Sequence, residues 1–192
     1  VIRLEPTDDD AKDYSGAAWG GNLDAVLVPP GVASALAFSI GLEGVQLDSH
    51  TIEFVDRVTL LRVEQQTNQD YFRVYAGARV GHQGHGFLRP YAGANLAANI
   101  FSIKTDVVIP DDSARENEIR QNVKSKTETA FGFDVVAGLE LNFDDVWYID
   151  LGAKYIEAFN VPAQLGEDAK TIYPSYVEGY LGAGVFFSVF NR

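Results

Sequence analysis

The sequence predicts an all-β fold, an eight-stranded antiparallel barrel, and three observations carry that prediction. Most of the 192 residues fall into runs that alternate apolar with small or polar side chains, the period-two signature of a half-buried strand. Gly, Pro, Asn and Asp punctuate these runs. The connections are also unequal: HQGHG (82–86) and the Asp144-Asp145 pair are tight, whereas the links preceding the sixth and eighth runs are long and polar. Short turns at one end and longer loops at the other describe an up-and-down barrel.

Taken in order, residues 1–13 (VIRLEPTDDDAKD) read as a flexible acidic tail, and residues 14–192 as the barrel. The first strand, 15–28, sets Trp19 on its apolar face and Asp24 on the other. The second, 32–47, carries Glu43 on the polar face, and the third, 57–65, carries Arg62 and Glu64. The fourth, 71–82, places Arg73 and Arg79 with Gly77 and Gly81, and the fifth, 87–103, places Arg89 with Gly93. The sixth, 127–143, is the most regular: Phe131, Phe133, Val135, Leu139, Leu141 and Phe143 oppose Gly132, Asp134, Gly138 and Glu140. The seventh, 146–159, sets Trp147, Ile149, Leu151 and Phe159 against Asp150, Gly152 and Lys154. The eighth, 173–190, sets Leu181, Val185 and Phe187 against Glu178, Gly182 and Gly184. Pro29-Pro30-Gly31 interrupts the longest uncharged stretch, so no transmembrane helix is expected. In this reading that link is an outer loop, for which it is short.

Composition removes several classes of function. With 27 acidic against 15 basic residues the net charge is −12, which disfavours nucleic acid as a partner because phosphate contacts need Lys and Arg. The absence of cysteine excludes disulfides, thiolate metal sites and thiol catalysis. The chain opens on Val1 and contains no methionine, as expected of an exported protein whose signal peptide has been cleaved.

Alternation does not say which face is inside. A lipocalin-like soluble carrier turns its apolar face inward around a ligand, and a membrane barrel is inverted. The polar faces hold Asp24, Glu43, Glu64, Asp134, Glu140, Asp150 and Glu178 with Arg62, Arg73, Arg79, Arg89 and Lys154, whereas the apolar faces hold only Glu157. About eleven glycines share the polar face and about three the apolar one. Glycine weakens a solvent-facing strand but suits a narrow lumen, where large side chains must alternate with small ones. The expectation is therefore a transmembrane barrel with an interior charge network of those twelve residues. Trp19, Phe131, Phe133, Phe143, Trp147, Phe159 and Phe187 would then face lipid, in girdles at the two interfaces.

Short motifs support this. Leu88-Arg89-Pro90-Tyr91-Ala92-Gly93-Ala94 resembles the "RPY-x-G-A-G" strand of the OmpA-like and OmpW-like superfamily of small outer-membrane barrels. Phe131-Gly132-Phe133 through Gly138-Leu139-Glu140, with Asn142-Phe143-Asp144-Asp145-Val146-Trp147, resembles that superfamily's "G-x-G-x-E-Y … D-N-W" hairpin, and Ile172-Tyr173-Pro174 leading into Gly182-Ala183-Gly184-Val185-Phe186 extends the likeness. Phe186 to Arg192 is similar to the aromatic terminal assembly signal of bacterial outer-membrane proteins. The resemblance implies a porin-like cell-envelope protein in the outer membrane, with short periplasmic turns.

Signals for chemistry are weak. His82-x-x-His85 lacks a third metal ligand, and a polar turn accounts for it. Ser49 and His50 stand beside Asp48 but share no strand face as a hydrolase would require. The carboxylate pairs Asp134/Glu140 and Asp150/Glu178 could serve a glycosidase, but a filled lumen offers no cleft, and ion pairing explains them. Asp111 to Arg120 begins like a capped helix in an outer loop. The expectation is a non-enzymatic outer-membrane protein without cofactor or metal, in contact with outer-membrane lipid and meeting protein partners through loops 104–126 and 160–172. Passage of small hydrophobic molecules through the outer half of the barrel, as the OmpW-like resemblance implies, and a soluble apolar-ligand carrier are the alternatives.

Overall fold

In a computed structural model the chain forms a closed ring of eight antiparallel strands. The structure describes residues 1–7, 9, 16–29, 35–55, 62–81, 86–109, 119–143, 146–165 and 168–185. Strands β1 (Ile2–Pro6), β2 (Ala18–Leu27), β3 (Leu36–Val55), β4 (Arg62–Gly81), β5 (Leu88–Ile109), β6 (Ile119–Phe143), β7 (Trp147–Ala158) and β10 (Ser175–Val185) close the ring, with β1 joining β10 to β2. A separate hairpin, β8 (Val161–Leu165) and β9 (Asp168–Ile172), lies between β7 and β10.

The count of eight is reached by a different route from the one the sequence suggested. Residues 2–6 are not tail but the closing strand, with Ile2 and Leu4 inward and Arg3 and Glu5 outward. That short alternation is masked in sequence by the acidic run that follows it. The described parts of the runs read as 57–65 and 71–82, residues 62–65 and 71–81, belong to the single strand β4, while 57–61 and 82 lie outside the described residues. Its middle, Gln65 to Gln69, breaks the alternation without breaking the ladder, because beyond a membrane both faces of a strand can be polar. One strand gained and two merged shift the order, so Pro29 falls between β2 and β3. That is the end of the barrel that also holds the β4–β5 and β6–β7 turns, where a short link belongs.

The expected outer loops differ as well. Most of 104–126 extends β5 and β6 as paired strand, and 160–172 contains the β8–β9 hairpin. Asn160 enters that hairpin in the left-handed region (φ 54), which Asn tolerates, and the Tyr173 hydroxyl donates to its Oδ1 at 2.9 Å. The helix-like start at 111–118, His82, His85 and Phe186 to Arg192 lie outside the described residues, as do the side chains of Asp48, Ser49 and His50.

The apolar face is the outer one. Phe131 is 77% and Leu96 75% exposed, while Arg73, Asp134 and Glu178 are at 0%. A soluble apolar-ligand carrier needs the reverse arrangement. On β6, Phe131 and Phe143 are 12 residues apart, which at about 3.4 Å per residue and a tilt of about 40° is about 30 Å along the axis. Phe133 and Phe159 pack at 5.7 Å near the upper level, and Phe87, Phe143 and Trp147 cluster at the lower one, with Phe143 and Trp147 stacked at 4.3 Å. The two rings bracket an apolar band of the height a membrane barrel needs, about 25 Å.

Outward charges are more numerous than the sequence indicated: Arg3, Glu5 and Asp70 join Glu157. They sit near the upper belt, where Arg3 pairs with Glu5 at 2.6 Å and lies over the Trp19 ring. An outward charge costs about 2–4 kcal/mol at the bilayer midplane but about 0–1 near the interface, so only that level tolerates them.

Trp19 and Trp147, both outward, should be quenched by brominated lipid after reconstitution, more strongly by bromines near the headgroup than by bromines deep in the chain. Single-tryptophan variants W19F and W147F check this by steady-state fluorescence, and a tryptophan insensitive to both lipids would contradict the assigned orientation.

Candidate functional site

The candidate site is the lumen, and it is layered. Residues paired across adjacent strands point to the same side, so the ladder brings its charges together in register. Glu43 pairs with Arg73, Glu178 with Lys154, Asn95 with Asp134, and Glu140 with both Arg89 and Asp150.

At mid-height these ladder pairs are cross-linked through the lumen. Arg73 bonds Asp134 and lies 3.6 Å from Glu43 Oε2. Lys154 Nζ donates to Glu43 Oε2 at 3.0 Å and reaches Glu178 Oε1 at 2.8 Å. Asn95 Nδ2 donates to Asp134 Oδ1 at 2.7 Å, and Ser39 Oγ donates to Asn95 Oδ1 at 2.9 Å. Both cations also face tyrosine rings: Arg73 lies 5.0 Å and Lys154 4.9 Å from the Tyr75 centroid. These groups are buried, so each charge depends on its partners rather than on water.

Above this layer the lumen is apolar, which the sequence reading, with its wholly polar interior, did not anticipate. Ile2, Leu4, Val45, Leu47, Tyr71, Ile156 and Tyr176 form a buried cluster, with Phe101 against it. Val161 and Ile172 of the β8–β9 hairpin continue it onto Ala130 and Ala158. Together they stopper the outer half of the barrel.

Below the charged layer, tyrosines and glycines interlock. Gly41 pairs with Tyr75, Tyr91 with Gly138, Tyr180 with Gly152, and Tyr148 with Gly184. A Cβ built on any of these four glycines would collide with the ring opposite. Asp24 accepts hydrogen bonds from the Tyr75 hydroxyl and from Asn22 Nδ2, the latter at 2.9 Å. Asp150 accepts from the Tyr91 hydroxyl at 2.8 Å, and Arg79 Nη1 meets Glu140 Oε1 at 3.4 Å. A cavity of about 1010 Å³ opens among these groups.

The structure thus brings Glu43, Arg73, Asp134, Lys154 and Glu178 into one network, with Arg79 and Glu140 as a separate pair below it. Arg89 is half-buried opposite Glu140. Asp24 and Asp150 line the lumen, bonded to tyrosine rather than to a cation. Arg62 and Glu64 are misassigned: Arg62 pairs with the exposed Glu53, and Glu64 stands beside it on the part of β4 beyond the upper belt, outside the lumen. The reason is the merged strand, which lifts both residues clear of the barrel. Of the expected lipid-facing aromatics, Trp19, Phe131, Phe133, Phe143, Trp147 and Phe159 are on the outer face, and Phe187 is outside the described residues. Of the lumen tyrosines, Tyr148 and Tyr180 share the polar faces already read for the seventh and eighth runs, whereas Tyr75, Tyr91, Asn95 and Asn99 were missed, although Tyr75 and Tyr91 share parity with polar-face glycines.

Residues 6–176 match the family described as outer membrane protein beta-barrel domain. No curated protein matches the sequence. Among solved structures, Neisserial surface protein A (NspA) aligns with a TM-score of 0.55 at 12% identity, over 96% of this chain and 92% of that one. Ail, the attachment invasion locus protein of Yersinia pestis, aligns with a TM-score of 0.43 at 17% identity, over 94% and 93%. The likeness to NspA is one of fold.

Replacing Arg73 with Met leaves the buried Asp134 without a cation and Glu43 with Lys154 alone, and should cost about 3–5 kcal/mol. Arg62→Met removes only the exposed pair with Glu53 and should cost less than about 1 kcal/mol. Equilibrium urea unfolding in phospholipid vesicles measures both, and equal effects would show that the lumen network does not hold the barrel together.

Proposed function

The chain belongs to the outer membrane protein beta-barrel domain family, and on that premise we propose that it is a non-enzymatic integral outer-membrane barrel that acts as a surface-interaction component. Its working surface is the wall of strands β3 to β6 that rises past the upper aromatic belt, beside the β8–β9 hairpin. This recasts the described parts of the expected partner loops 104–126 and 160–172 as mostly paired strand, a firmer platform for a protein partner than loose loops.

One observation carries the reading. Ile52, Phe54 and Val55 near the free end of β3, and Val123 on β6, are each 45–62% exposed. Val123 lies 8 residues beyond Phe131, about 20 Å above the belt at the same rise and tilt. Hydrocarbon explains exposed apolar side chains within the band but not ones this far outside it, and apolar groups held out on rigid strands are a feature of contact surfaces. Val123 faces a ladder irregularity between Thr105 and Asp106, a β-bulge position of the kind that re-aims side chains. Around these groups the surface is charged, with Arg62 and Glu53 paired beside Phe54.

Passage of small hydrophobic molecules through the outer half finds less support, because the buried cluster around Tyr71, Ile156 and Tyr176 occupies that route. Steady conductance in planar bilayers is expected to be at the baseline level.

A photo-crosslinking residue placed at Phe54 or Val123 should give discrete protein adducts on intact cells, while the same residue at lipid-facing Leu96 should not. Lipid adducts alone at all three positions would refute a surface-interaction role.

A further inference from the structure

Among the described residues β3 has a free edge above the membrane. β2 accompanies it only as far as Trp19 of the upper belt, opposite Gln46. On its other side β4 continues from Gln69, opposite Asp48, to Arg62, opposite Val55. Asp48 to Val55 are therefore laddered on one side alone, over 8 residues, a length of about 27 Å. Thr51, Ile52, Glu53, Phe54 and Val55 are all exposed, so neither face of this stretch is covered.

An open edge is ordinarily blunted by lysine, proline or a covering segment. Asp48 to Val55 contains no lysine, arginine or proline, and it ends in Thr, Ile, Phe and Val, which favour extended backbone. The far edge of the same wall, above the end of the β6–β7 ladder, is different: Arg120, Lys124 and Lys126 stand in its sequence, and Val161 of the hairpin packs at its foot on Ala130. The two faces at the β3 edge are also unlike. Ile52 and Phe54 lie opposite Gln65 and Val63, on the parity of the inward Tyr71, so they turn over the mouth of the barrel. On the outer side Glu53 lies directly opposite Glu64, with Arg62 paired to Glu53 and Asp70 exposed further down. Like charges placed directly opposite repel, which leaves this face short of positive charge.

We propose that the β3 edge takes up an extended segment of a partner protein as an added strand, one in which apolar side chains alternate with Lys or Arg. The N–H and C=O groups on the open side of Asp48–Val55 supply main-chain hydrogen bonds, and the two faces select the side chains. Apolar groups of the segment meet Ile52 and Phe54 over the mouth, and basic groups meet Glu53 and Glu64 outside. A second copy in the same membrane does not meet these terms. Its own β3 edge would run parallel and turn the opposite face to each side, setting Phe54 beside Glu53. The inference names the class of partner for the surface-interaction role proposed above and rests on that reading.

The probe is a fluorescein-labelled octapeptide of alternating lysine and valine, titrated onto the protein in phosphatidylcholine nanodiscs and followed by anisotropy, with empty nanodiscs as the blank. It should bind saturably, and its glutamate–valine counterpart at least tenfold more weakly. The E53K variant should reverse that order while keeping the heat-modifiable electrophoretic mobility of a folded barrel. An added strand bonds through one of its own edges, so N-methylating either all the lysine amides or all the valine amides should weaken binding at least tenfold in one of the two cases. No saturable binding, an unchanged order in E53K, or full affinity in both methylated peptides would overturn strand addition at β3. Those failures leave the protein adducts expected from a crosslinker at Val123 intact, so the edge can fail while the surface-interaction reading stands.

Discussion

The width of an eight-stranded barrel is the constraint from which the rest of this structure follows. The ring leaves a lumen only about as wide as its own side chains, so a large residue can point inward only where its neighbour across the ladder gives way. The four tyrosine–glycine pairs meet that condition directly: a ring from one strand occupies the space that a Cβ on the next would need. Glycine is costly in a strand, and its concentration on one face makes sense only where that space is used.

The same narrowness explains the ionic core. Buried ion pairs add little net stability compared with apolar packing, but here an apolar interior would remove the difference between the two faces. A one-residue slip in register moves every side chain to the opposite face, and it is prevented only if one face cannot tolerate lipid. Arg73, Lys154, Glu43, Asp134 and Glu178 impose that penalty on any slip of β3, β4, β6, β7 or β10. The apolar cluster above them can then exist inside the barrel without ambiguity, because the charged layer has already fixed which side is in.

Much of this was legible in the sequence, and the failures share one cause. The faces of β7, β10 and residues 131–143 of β6 could be read from alternation alone because these stretches lie within the bilayer band, where lipid on one side and a packed lumen on the other enforce period two. Alternation fails where the second medium changes. On β4 the Gln65–Gln69 stretch stands in water on both sides, so the strand was split, and Arg62 and Glu64 were placed in a lumen they never enter. On β1 only Ile2 and Leu4 carry the pattern, too few to stand out against the acidic residues behind them. The network partners were legible as types but not as pairs. The contacts of Lys154 with Glu43 and of Arg73 with Asp134 cross the lumen, and a strand-by-strand reading contains nothing about which strands face each other.

Strand length also divides the molecule into sides. β5 and β6 run for 22 and 25 residues while β1 and β10 run for 5 and 11, so the wall is tall on one flank and low on the other. On the tall flank the ladder continues past the membrane and holds apolar side chains in water. On the low flank the ring is closed by the short strand β1, whose Ile2 and Leu4 fill the lumen, and the β8–β9 hairpin extends that packing through Val161 and Ile172, so the side with the least wall is the one with the most apolar filling.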